Sequence, residues 1–121
     1  MKKLVLLLLL VAATQLAAQS TDSFELRYSK ALSLISEEKY NDALVLLSQI
    51  DPAKNKSAMP QVYYQTALCH ASLASFEKAL YYADLSITAD YSYDRPYILK
   101  YEIFSGSNRF DEAAYALHNL A

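Results

Sequence analysis

The chain has 121 residues with 1 Gly, 3 Pro, 1 Cys, 2 His and no Trp; 54% of them are hydrophobic and the formal net charge is −2. One glycine is too few for the tight turns of a β-rich fold or for a phosphate-cradling loop, so an all-α fold is predicted. One cysteine excludes an intramolecular disulfide and a multi-thiolate metal site, and the acidic balance argues against nucleic acid and anionic membrane surfaces as partners.

Residues 1–18 read as an export signal peptide. Lys2 and Lys3 give a positive start, Leu4 to Ala13 form an apolar run, and Ala17-Ala18 offer small residues for cleavage. The run is about half the roughly 20 residues that a membrane-spanning helix needs. Cleavage is expected after Ala18, although Leu16 stands where the usual cleavage pattern places alanine. The mature part, 19–121, is expected to be one soluble domain in which nine basic residues face 13 acidic ones. No cysteine follows the cleavage site, so a bacterial lipid anchor is not expected. The expected location is the periplasm or the cell exterior, in a bacterial envelope setting.

Small and apolar residues then step by three and four, which predicts helices over 22–36, 40–50, 60–72, 76–88, 94–105 and 109–120. Asp22 with Glu25 resembles a capping box, and Asn108 is placed to cap the last helix. Pro60 and Pro96 suit first-turn positions, where a missing N–H costs nothing, and Pro52 stops the second helix. Gly106 is expected to take the left-handed conformation that ends the fifth helix.

The helices repeat as pairs. Tyr40-Asn41-Asp42-Ala43-Leu44, Phe76-Glu77-Lys78-Ala79-Leu80 and Phe110-Asp111-Glu112-Ala113-Ala114 share an aromatic, two polar residues and an alanine, the alanines lying 36 and 34 residues apart. Each continues on one helical face, with Leu47 and Ile50, Ala83 and Ser86, and Leu117 and Leu120. Upstream, Ala31 aligns with Ala67 and Tyr101. This pattern resembles the tetratricopeptide repeat family, whose helix–turn–helix unit recurs every 34 residues. The resemblance covers Phe24 to Ala121, with repeats at about 24–57, 60–93 and 94–121, and implies a right-handed array of three antiparallel helix pairs. Tyr101 departs from the small residue expected at its position, and the small Ala83 of the preceding pair is the proposed compensation.

Family resemblance further implies that a stripe on the first helices faces a peptide or protein ligand. Its residues here are Glu25, Tyr28, Leu32 and Ile35; Gln61, Tyr64, Leu68 and Ala71; and Arg95, Ile98, Glu102 and Ser105. Tyrosines, aliphatic residues and both charge signs suit a peptide with an apolar anchor and a few polar contacts. Tyr28, Tyr64 and Ile98 stand where the carboxylate-clamping members of the family carry lysine or asparagine, so recognition of a chain-terminal carboxylate in that manner is not expected. Nothing follows the third pair in the sequence to cover it, so a C-terminal docking face with Tyr115 and Leu117 is expected, for a second copy or an envelope protein.

Chemistry is sparse. Cys69 and His70 are adjacent, so on a helix their side chains diverge by about 100° and make no catalytic dyad. His70 and His118 are too isolated to form a metal site. Asn55-Lys56-Ser57 fits a glycosylation signal that matters only in a eukaryotic secretory pathway. No catalytic, metal or cofactor residue is assigned. The function expected is a non-enzymatic scaffold that presents a helical groove to a protein partner. The alternative is a glycan or small-ligand module using the tyrosine clusters Tyr81-Tyr82 and Tyr91, Tyr93 and Tyr97.

Overall fold

The computed structural model describes residues 23–120, and the predicted export segment lies outside them. Six α-helices follow in order: α1 Phe24–Ser36, α2 Tyr40–Ser48, α3 Met59–Ser72, α4 Phe76–Ala89, α5 Arg95–Gly106 and α6 Phe110–His118. A 3-10 turn, Lys56–Ala58, precedes α3, and no strand occurs among the described residues. The class is all-α.

Helix starts follow local chemistry. Asp22 lies outside the described residues, and Ser23 is the cap of α1, its hydroxyl oxygen accepting the Leu26 N–H at 3.3 Å. Pro60 and Pro96 sit in the first turns of α3 and α5, where a backbone donor would have no partner. The end of α2 comes two residues earlier than predicted, because the Gln49 and Ile50 N–H groups turn to the Leu46 and Leu47 carbonyls, three residues back. Asp51 then organises the loop: its carboxylate accepts the Ala53 N–H at 2.9 Å and its carbonyl accepts from the Asn55 amide at 3.0 Å.

One backbone device closes all three helix pairs. Glu38, Ala74 and Asn108 have φ of 61°, 60° and 59°, and the next residues, Lys39, Ser75 and Arg109, donate to the carbonyls of Leu34, His70 and Phe104 at 2.8 Å in each case. These bonds reach five residues back and terminate each first helix by the left-handed route. Two sequence expectations are corrected here. Gly106 is the last residue of α5 and has no positive φ, and Asn108 supplies the left-handed residue in its place. The position before α6 is therefore Arg109, which makes no side-chain cap. Asparagine tolerates this conformation better than most residues, which suits Asn108 to the turn better than to the cap.

Packing runs from each helix to the next in the chain, and α3 also meets α5. Ala31, Ala43, Leu47, Ile50, Met59, Val62 and Cys69 form one buried cluster; Ala67, Ala79, Ala83, Leu99 and Ile103 form the second. Helix α3 contributes to both and joins them. Ser86 is fully buried, and its hydroxyl donates to the Pro60 carbonyl at 2.7 Å, tying α4 to the start of α3 and contributing about 1 kcal/mol.

The third pair differs from the first two at matching positions. Ala31 and Ala67 are buried, whereas Tyr101 is 38% exposed; Leu47 and Ala83 are buried, whereas Leu117 is 44% exposed; Ile50 and Ser86 are buried, whereas Leu120 is 40% exposed. Tyr101 is thus partly open to solvent at a position where the first two pairs bury an alanine. Among the described residues no helix is long and apolar enough to cross a membrane.

Candidate functional site

The stripe residues on α1, α3 and α5 are placed by their helices, and the structure draws some of them together. Tyr28 projects from α1 and stacks on Phe24, ring centroids 5.4 Å apart and planes within 13°. Tyr64 projects from α3 and meets the edge of Tyr93 at 5.9 Å and 82°. Tyr93 belongs to the loop between α4 and α5, and Tyr28, Tyr64 and Arg95 all act on it electrostatically. Tyr64 and Tyr93 thus meet ring to ring from a helix and a loop.

Burial pushes the Tyr93 phenol above its ordinary range, the neighbouring Tyr64 and Tyr28 add to the rise, and Arg95 opposes it. Burial also raises Tyr28, while the Gln65 side chain, hydrogen-bonded to the phenol, acts in the opposite direction. Tyr28 and Tyr93 therefore stay neutral at physiological pH, able both to donate and to accept hydrogen bonds.

Leu68 and Glu102 meet elsewhere on the same helices. They share a depression of about 390 Å³ with Phe76, Leu99 and Ile103, and Gly106 leaves part of its wall open, with nothing within 4 Å of where a side chain would begin. The floor is apolar, Glu102 stands in its wall, and Phe76 is exposed beside it. Ala71 of the stripe joins this depression too, whereas Glu25, Leu32 and Gln61 join neither group and are exposed on α1 and α3. Sequence reasoning missed Tyr93, Gln65 and Phe76 as parts of this face. Tyr93 lies on a loop, off any helical stripe, and its only sequence signal is the density of tyrosines over 91–97.

Tyr115 and Leu117, expected to share one docking face, point in different directions. They are two residues apart on α6, about 200° around the helix. Tyr115 lines a cleft against α4 and α5, and Leu117 does not.

Cys69 is fully buried, and burial pushes its thiol up to about 11, so it is protonated and unreactive at neutral pH. The His70 ring lies flat against Tyr82, 5.4 Å between centroids. Burial lowers its basicity and Lys78 lowers it further, which leaves the imidazole neutral at pH 7. Among the described residues no group of three or more His, Cys, Asp or Glu side chains is placed to hold a metal ion. The chain matches no protein-family model, no curated protein and no solved structure.

Proposed function

We propose that the chain is an exported array of three tetratricopeptide-like helix pairs, wound right-handedly, that binds a protein or peptide partner along the concave face of its first helices. The observation that carries this reading is the edge-to-face meeting of Tyr64 on α3 with Tyr93, two residues before Arg95 in the chain. Tyrosine and arginine are the residue types that dominate binding energy at protein interfaces, and the apolar depression around Leu68 offers a second anchor point. The repeated left-handed turn, at spacings of 36 and 34 residues, supports the repeat architecture independently of the alanine pattern. Leu117, on the exposed end of the array, is a further docking position for a second copy or an envelope protein.

Crosslinking in intact envelope preparations of the producing cell tests the reading. A defined partner is expected to be trapped by the wild-type chain, weakened at least about tenfold by Tyr64→Ala, and separately weakened by Leu117→Glu if the end face takes part. Identical crosslinking profiles for the wild type and Tyr64→Ala would remove the concave-face assignment. Recovery of the chain in the cytoplasmic fraction, with Met1 retained, would remove the export assignment.

A further inference from the structure

A cleft of about 510 Å³ lies away from the stripe, over α5 and between α4 and α6. Ile87, Phe104 and Ala116 form its apolar lining, and the rim carries Tyr91 and Tyr115, 72% and 68% exposed. Tyr97 is buried beneath the rim, and its hydroxyl donates to the Tyr91 carbonyl at 3.2 Å, fixing the loop that presents the Tyr91 ring. Neither ring gains much from burial, so packing contributes little to holding them there.

The polar lining identifies the ligand chemistry. The Lys100 ammonium donates to the Asp84 carboxylate at 2.6 Å. Arg109 pairs with Glu112, donating from Nη2 at 2.7 Å, and its guanidinium lies over the Phe104 ring at 4.9 Å. Each carboxylate in the cleft is therefore already balanced by a cation held in place. A cationic ligand would have to displace Lys100 or Arg109, and an anionic one would meet two carboxylates. A neutral ligand rich in hydroxyls disturbs neither pair and uses the remaining lone pairs of Asp84 and Glu112, with the Asn119 amide, as hydrogen-bond partners.

A second depression, of about 350 Å³, occupies the matching place over α3, between α2 and α4, and it lacks this equipment. Ser48 and Thr66 stand there in place of Asp84 and Lys100, and their hydroxyls are spent on the Val45 and Val62 carbonyls at 2.7 and 2.8 Å. The ion pair is thus a particular property of the cleft over α5.

We propose that this cleft binds a neutral carbohydrate, with the rings of Tyr91 and Tyr115 stacking on the C–H faces of a sugar and Asp84, Glu112 and Asn119 holding its hydroxyls. The assignment is independent of the protein-partner reading. Titration of the full chain with neutral tetrasaccharides of glucose, galactose and N-acetylglucosamine, followed by calorimetry, is the test. Saturable binding of at least one is expected, weakened about tenfold by Tyr91→Ala and by Tyr115→Ala and unchanged by Tyr101→Ala, an exposed tyrosine outside the cleft. Both cleft tyrosines are surface residues, so circular dichroism of the variants is expected to match the wild type. The proposal is overturned if no tetrasaccharide saturates, if binding ignores both cleft substitutions, or if oligomers of glucosamine or glucuronate bind more tightly than the neutral ones.

Discussion

Leu47→Ala is expected to lower the unfolding free energy by about 2–5 kcal/mol, whereas Leu117→Ala, at the matching position of the third pair, is expected to cost about 0.5 kcal/mol. The two residues are chemically identical and lie four positions after the alanines Ala43 and Ala113. They differ only in surroundings. Leu47 is 3% exposed and packs in the cluster that joins α1, α2 and α3, so truncation leaves a void that rigid helices cannot close. Leu117 is already 44% exposed, so truncation there removes much less buried surface and leaves no closed void. For a domain of this size each kcal/mol moves the melting temperature by about 4–8 °C, so thermal melts separate the two variants clearly. A large destabilisation by Leu117→Ala would mean that the end of the array is covered in solution, and its dependence on protein concentration would show whether a second copy does the covering.

The second expected result is a gain. Glu38→Gly and Ala74→Gly are each expected to stabilise the fold by about 1 kcal/mol, and the double variant by about 2 kcal/mol. Both residues are exposed and both hold a φ near +60°, where a side chain costs about 1–2 kcal/mol and glycine costs nothing. Glycine returns part of this through the greater freedom of its unfolded chain, which is why the net gain is the smaller figure. The turns lie in different helix pairs, so the gains should add. Calorimetric melts of the single and double variants provide the measurement. An unchanged or lowered melting temperature in both single variants would contradict the left-handed turns.

These turns also mark a limit of what the residues disclose. All six helices were legible, because three-and-four stepping and the two first-turn prolines reflect forces that act within a few residues. The left-handed position was not, because Glu, Ala and Asn occupy it in turn and none of the three shares a diagnostic side chain. The glycine that attracts the eye, Gly106, stands two residues too early. The requirement comes from the direction in which the second helix must return, which is a tertiary demand. The same holds for Tyr101, aligned with two buried alanines and yet 38% exposed, since burial is a property of the surroundings.

Helical phase placed Tyr28 and Tyr64 on the stripe, and the structure sets the Tyr28 ring on Phe24 and the Tyr64 ring against Tyr93. Tyr93 itself depends on how the α4–α5 loop folds back, which no periodicity describes. The cleft over α5 was hidden for a related reason. Asp84 and Lys100 are 16 residues apart on different helices, and only the packing of α4 against α5 makes them a pair.

The buried thiol gives the molecule a built-in reporter. Cys69 sits on α3 among Ala31, Ala43 and Leu47, so a thiol reagent reaches it only when α3 parts from α1 and α2. Its labelling rate in the native protein therefore measures how often the junction of the first two pairs opens. The same seclusion means that an oxidising medium meets no thiolate for mixed-disulfide formation while the chain stays folded. Covalent crosslinking through Cys69 would then record unfolding, before the helices close over it.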